Sequence, residues 1–238
     1  MGTNSADCFM WDGRNARYER RIIGYVDVLG WRDACKLFDV NDLLRVVMGI
    51  KDHAASFSKE AKNSLRDAGT NYSNIREQRA IEFSFFSDNF AVSAPATKQH
   101  AANIFKILGW ACHELLKKKF AARGAITLGD LYHEDDIIFG PALSEAVDIE
   151  QNRACYPRIL CTDTLMEFLS PINNKIEGLV RDQHRNWVVN WAFGAPQFVL
   201  PELDSIVKDK IACSSKSLEK WMYLQQILPV MYASRRSL

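Results

Sequence analysis

A single acidic residue, Asp27, interrupts the otherwise apolar run Ile22-Ile-Gly-Tyr-Val-Asp-Val-Leu-Gly30. Short β-branched runs that end at a glycine form buried strands entering a turn. A carboxylate inside such a strand is costly unless something pairs with it. The fold must therefore supply a partner for Asp27, and a divalent cation on hard oxygen ligands is the economical one.

Downstream, helices and hairpins alternate. Leu43, Val47, Ile50, Ala54, Phe57 and Ala61 recur at three- and four-residue steps behind a capping Asn41, which predicts a long amphipathic helix. Asp67 to Gln78 is polar and reads as a surface loop. Ala80–Ser87 and Phe90–Ala94 are β-rich runs around an Asp88-Asn89 turn. A second helix spans Thr97 to Lys119, where Lys117, Lys118 and Lys119 meet the negative end of its dipole. Ala122–Leu128 and Ile137–Phe139 flank an acidic turn at Asp130–Asp136 as a second hairpin, and Gly140-Pro141 opens a helix to about Ala154. Arg158–Cys161 and Asn186–Phe193 read as strands, and Ser217–Leu228 as a C-terminal helix. This order predicts an α+β fold of ferredoxin-like type, a mostly antiparallel central sheet with helices packed on it.

Composition narrows the function classes. Among 238 residues, 30 Lys and Arg balance 29 Asp and Glu, so no general electrostatic case exists for nucleic-acid binding. Hydrophobic residues make up 47%, enough for a core. The length suits one domain over 21–238 behind a polar leader at 1–20. The longest charge-free stretch, Asn186 to Pro201, is too short and too polar for a membrane span. The leader has no apolar signal core, and the six cysteines contain no C-x-x-C pair, so reduced thiols and a cytoplasmic location are expected.

Asp88, at the hairpin tip, is the second candidate beside Asp27. Two carboxylates on neighbouring strand ends can hold two divalent cations about 3.5–4 Å apart, an arrangement that serves phosphoryl transfer. A strand Asp can equally be a hydrogen-bonded structural residue, and an Asp at a turn can be turn chemistry alone. Gly124 to Gly129 has the glycine spacing of a phosphate loop, but Asp130-Leu131 stands where that chemistry needs Lys and Ser or Thr. The acidic run Glu134-Asp135-Asp136 reads as a solvated loop, and the five histidines show no zinc spacing. No G-x-S-x-G elbow occurs.

Tyr25-Val-Asp-Val-Leu-Gly-Trp31 resembles the first metal motif of the class III nucleotidyl cyclases, and Phe86-Ser-Asp88-Asn resembles their second metal hairpin. Arg123-Gly-Ala-Ile-Thr-Leu-Gly129, followed by Ile138-Phe-Gly140 and a helix, is similar to their later strands and dimer helix, so the match covers about Ile22 to Leu160. The resemblance implies that Asp27 and Asp88 bind two Mg²⁺ or Mn²⁺ ions with the Val28 carbonyl, and that Leu29, Gly30 and Trp31 form a triphosphate-cradling turn. It implies closure of a nucleoside triphosphate to a 3′,5′-cyclic nucleotide with loss of pyrophosphate, in a head-to-tail homodimer.

The departures from that pattern concern the base and the transition state. Adenylate cyclases select purine with a Lys where this chain has Ser84 and an Asp where it has Ile137; guanylate cyclases use Glu and Cys. The helix positions of the family's catalytic Asn and Arg are Ser144 and Asp148, with Asn152 and Arg153 one turn on. Arg153 or Arg158 is then the arginine expected at the leaving phosphates, Arg153 foremost. Together with Gly140 to Glu150 leading into Tyr156-Pro-Arg-Ile159, these departures resemble the pyrimidine cyclases of the bacterial Pycsar antiphage system. That likeness implies UTP as substrate and cyclic UMP as a messenger to a separate effector. CTP, or a nucleotide sensor without turnover, is the alternative.

Overall fold

The computed structural model describes residues 16–67, 81–170, 176–195, 200–213 and 217–235. Strand β1 (Glu19–Leu29) lies between two antiparallel partners, β3 (Asn89–Pro95) and β4 (Ala121–Glu134). β2 (Glu82–Phe86) flanks β3, so these strands run in the order β2-β3-β1-β4. Helices α1 (Trp31–Leu37) and α2 (Val40–Asp67) connect β1 to β2, and α3 (Lys98–Lys117) connects β3 to β4. This is the ferredoxin-like βαββαβ unit that the alternation predicts.

The sheet continues beyond β4. β6 (Ile159–Cys161) joins it in parallel through α4 (Pro141–Asn152), and β8 (Trp187–Val189) and β7 (Leu179–Arg181) complete the edge. β5 (Ile137–Phe139) folds back on β4. Helices α5 (Asp163–Leu169), α6 (Leu200–Cys213) and α7 (Leu218–Arg235) finish the chain.

Alternation along β1 gives the sheet two unlike faces. Ile22, Val26 and Val28 point to the main core, where α3 buries Ala101, Ile104, Leu108, Ala111 and Leu115 as its spacing predicts. Thr97 caps that helix by accepting from the His100 amide at 3.1 Å. The opposite face carries Arg21, Ile23 and Asp27, and there Ile23, Ala91 and Leu131 pack against Ala142 of α4. Trp187, Trp191 and Phe193 are core residues, as are Trp221 and Tyr223 of α7.

Several boundaries differ from expectation: α2 starts at Val40, so Asn41 lies inside it and its amide donates to Asp39 Oδ1, and α7 runs past Leu228 to Arg235. The first hairpin turns at Ser87-Asp88, one residue earlier, because Phe86 pairs with Asn89 and Ser87 adopts a left-handed φ of 61°. The acidic segment is mostly strand: Asp130 to Glu134 continue β4, and only Asp135-Asp136 turns. Its charges do not prevent this, since Asp130 and Glu134 alternate with buried Leu131 and His133. The run Asn186–Phe193 yields a three-residue strand, after which Asn190 forms a turn by accepting from the Phe193 and Ala192 amides. The loop expected after Asp67 lies outside the described residues.

Close approach of β1 to β4 depends on Gly124, where an added Cβ would lie 2.1 Å from the Tyr25 carbonyl oxygen. Because the obstruction is backbone on both sides, Gly124→Ala is expected to cost about 3 kcal/mol, a melting point lower by roughly 6–12 °C. Gly49→Ala is the contrast. Its Cβ would meet only Trp110 at 3.6 Å on helix α2, and helix propensity favours Ala by about 1 kcal/mol. Thermal unfolding of the two variants checks both signs.

Candidate active site

The register places Asp27 opposite Asn89 on β3 and Arg123 on β4, near the end of β1. The Ser87-Asp88 turn wraps around that end, and the Val28 amide donates to the Asp88 carbonyl oxygen at 2.8 Å. The two aspartates of the sequence are thus brought to one corner of the sheet. Asn89 Nδ2 donates to Asp88 Oδ1 at 2.9 Å and steadies the turn carboxylate.

Arg123 and Glu150 complete the corner. Arg123 Nε donates to Asp27 Oδ2 at 3.0 Å and lies 2.7 Å from Glu150 Oε1. The single Nε proton points at Asp27, so the buried Glu150 Oε1 receives charge but no hydrogen bond. Burial foremost, then Asp27 and Asp88, pushes the Glu150 carboxyl above its ordinary range against the pull of Arg123. The Tyr25 hydroxyl is pushed up to about 12 by burial and by Glu150, Asp27 and Asp88. Asp27 and Glu150 therefore share the Arg123 guanidinium, with Asp88 near enough to raise both Tyr25 and Glu150.

This donor set fits a divalent cation. The oxygens are hard, the local charge is negative, and a buried carboxylate oxygen lacks a donor. Among the described residues no three His, Cys, Asp or Glu side chains converge on one metal position. The Asp27–Asp88 pair accordingly suits an ion that takes its other ligands from water and phosphate, the common mode for Mg²⁺.

Beyond Asp27, Gly30 caps α1 with a left-handed φ of 87° that favours glycine, and space is open on its Cβ side. Trp31 is buried against Phe85 and Phe120, with ring centroids 5.6 and 5.7 Å away. Leu29 is half-buried beside it.

Ser84 and Ile137, the expected base-facing pair, lie elsewhere on the sheet. Ile137 is 60% exposed on β5, whereas Ser84 is buried in a hydrogen-bonded chain. Arg21 Nε donates to Ser93 Oγ at 3.0 Å, Ser93 Oγ meets His133 Nδ1 at 2.8 Å, and His133 Nε2 meets Ser84 Oγ at 2.9 Å. Ser84 then donates to the Asp135 carbonyl at 3.2 Å. Each hydroxyl has one proton to give, so the direction is set: Ser93 donates to Nδ1, and the His133 hydrogen sits on Nε2. Burial first, then the Arg21 charge, lowers the His133 pKa to about 3, so the ring is neutral.

The arginines separate. Arg158 is buried, bonded to Asp182 and set over the rings of Tyr156 and Tyr223 at 5.4 and 5.7 Å. Burial alone would raise the Asp182 carboxyl, but the Asn186 amide and Arg158 override it and hold it low. Arg158 is therefore a structural cation, not a phosphate ligand. Arg153 is exposed at the end of α4, and its carbonyl accepts from Arg158 Nη2 at 3.2 Å. Asn152 donates to Asp148 at 2.8 Å, and Ser144 to the Gly140 carbonyl at 3.4 Å.

No protein-family model and no curated protein matches the chain. Solved structures similar to it are cyclase domains. The adenylyl cyclase CyaB from P. aeruginosa is 11% identical over 73% of this chain and 94% of its own, with a TM-score of 0.46. The catalytic core of a rhodopsin-guanylyl cyclase with converted specificity, in complex with ATPαS, gives 12%, 73%, 97% and 0.46. An adenylate/guanylate cyclase/hydrolase from Silicibacter pomeroyi gives 17%, 73%, 96% and 0.44. Identities this low transfer no residue roles. Among the described residues no helix is long and apolar enough to cross a membrane.

Proposed function

We propose that this protein is a metal-dependent nucleotidyl cyclase that converts UTP to 3′,5′-cyclic UMP and pyrophosphate. The observation that supports the proposal is that register and the bond from the Val28 amide to the Asp88 carbonyl bring Asp27 and Asp88 to the same end of β1. In the proposed reaction the ribose 3′ oxygen forms a bond to the α-phosphorus. The bond from that phosphorus to the pyrophosphate oxygen breaks, and the 3′ hydroxyl proton passes to water. Asp27, Asp88 and the Val28 carbonyl would hold two Mg²⁺ or Mn²⁺ ions, which would supply charge neutralisation at the phosphates and a lowered pKa at the attacking oxygen. Arg123 acts through Asp27 as a positioning residue, holding its Oδ2. The backbone of Leu29, Gly30 and Trp31 lies beside the phosphates, and Arg153 serves the leaving group.

Pyrimidine preference rests on the sequence resemblance alone, in which the positions of Ser84 and Ile137 carry neither the charged nor the thiol groups that select purines. A head-to-tail homodimer, a cytoplasmic setting and delivery of the product to an antiphage effector belong to the same proposal. Incubating the protein with each of the four nucleoside triphosphates and Mn²⁺, with mass detection, tests it. Cyclic UMP with equimolar pyrophosphate is expected, cyclic CMP would move the base preference, and no cyclic product from any triphosphate would refute the activity. One observation favours a sensor without turnover: Asn152 is engaged by Asp148 and Arg158 by Asp182. Tight UTP binding without pyrophosphate release would select that reading.

A further inference from the structure

Tyr25 ends in a hydroxyl that the fold does not use. It stands two residues before Asp27 on β1, so alternation puts both side chains on one face of the sheet. The register sets Tyr25 in a cross-strand row with Ser84, Ala91 and Ala125, next to the row of Phe86, Asn89, Asp27 and Arg123. Strand geometry separates the two rows by roughly 7 Å, a span that one pentose bridges.

Packing explains the ring but not the oxygen. Tyr25 is 6% exposed, and its ring centroid lies 6.3 Å from that of Phe86. The hydroxyl has no hydrogen-bond partner among the described residues, and its row neighbours Ala91 and Ala125 offer only methyl groups. Nor is the oxygen sealed in the core. It opens on the corner, where it feels the charges of Glu150, Asp27 and Asp88. Burial, then those three charges, keeps the proton on the phenol at neutral pH, which makes it a neutral donor among acceptors. Phenylalanine would pack the same ring without a spare donor.

We propose that the Tyr25 hydroxyl contacts the substrate, donating a hydrogen bond to the ribose 2′ oxygen of the nucleotide held at the corner. This rests on the nucleotide reading of that corner and adds to it a residue that reads the sugar. In that reading the 3′ oxygen comes to Asp27, and the 2′ oxygen on the adjacent carbon falls within reach of a phenol one row along the sheet. The 2′ hydroxyl does not react, so the contact selects ribonucleotides over deoxyribonucleotides without entering the bond-making step.

Calorimetric titration in Mn²⁺ with two uridine triphosphates that cannot cyclise tests the contact. The 3′-deoxy form keeps the 2′ hydroxyl, and the 2′,3′-dideoxy form lacks it. Wild type is expected to bind the 3′-deoxy form roughly fivefold more tightly, the effect of one hydrogen bond. Tyr25→Phe should bind both alike, at the wild-type affinity for the dideoxy form, and should melt at the wild-type temperature because it loses no bond to the protein. An undiminished preference for the 2′ hydroxyl in Tyr25→Phe, or an equal loss of affinity for both ligands, would overturn the contact. A lowered melting point would overturn it too, by assigning the hydroxyl to the fold. Wild type that cyclises UTP but binds the two analogues equally would overturn the contact alone, whereas wild type that binds neither analogue and makes no cyclic nucleotide would remove the nucleotide reading with it.

Discussion

Asp27→Ala and Asp88→Ala are each expected to lower cyclic-nucleotide formation by about 10³-fold or more, roughly 4 kcal/mol of transition-state stabilisation. The fold should survive both changes. Removing Asp27 leaves Arg123 its ion pair with Glu150, and removing Asp88 leaves the backbone bond to Val28 intact. Each change also relieves repulsion among the three carboxylates around Tyr25. Asp27→Asn separates charge from shape: the amide oxygen can still accept from Arg123, yet an anionic ligand is gone, so nearly the same loss is expected. Product quantification alongside a thermal melt checks the pair of statements. An Ala variant that keeps wild-type turnover would remove that aspartate from the mechanism.

Acid should destabilise the protein well before its carboxylates titrate. The neutral His133 ring has a folded pKa of about 3, while an unfolded histidine takes its proton near 6.5. Below about pH 6.5 the unfolded chain therefore binds a proton that the folded chain refuses. The stability contributed by His133 is complete above that pH and falls as pH drops toward 3, by up to about 1.4 kcal/mol per pH unit. Arg21 is the cation that faces the ring, with Glu19 and Glu82 acting on Arg21 in turn. His100 and His113 are also lowered, chiefly by burial, and add slope of the same sign. His133→Gln should be less stable at pH 7, because the chain from Arg21 to Asp135 is broken, and should lose about one proton's worth of slope between pH 6.5 and 5. Urea unfolding across that range measures it. A slope equal to wild type would show that the ring is charged or solvated in the folded state.

Much of the frame was legible because periodicity reports burial. The apolar steps of α2 and α3, the β-branched run of β1 and the Gly140-Pro141 helix start all describe one-sided contact with a core, and all reappear. Three elements go unread: α6, fourteen residues over Leu200–Cys213, and two short, poorly patterned ones. β7 has three residues, and α5 has seven, signalled only by the Thr162 cap that accepts from the Leu165 amide. Asp27 and Asp88 were legible as carboxylates in positions that need an explanation. Their partners were not. Arg123 stands 96 residues from Asp27 in the chain, and only the β1–β4 register sets them opposite each other. Glu150 sat inside a helix that reads as an interface surface, and nothing in its spacing signals burial at the corner. His133 was dismissed for lacking zinc spacing. The available signal lay in Arg21, Ser84, Ser93 and His133, four polar residues on inward positions of four strands, which become one network only when those strands are paired.

Manganese binding followed by the paramagnetic resonance of the free ion tests the role of the corner most directly. With a non-cyclisable UTP analogue present, wild type should hold two Mn²⁺ per bound analogue, more than the analogue holds alone, and the Asp27→Ala/Asp88→Ala variant no more than the analogue alone. Equal uptake by both proteins would contradict a metal site built on these two side chains.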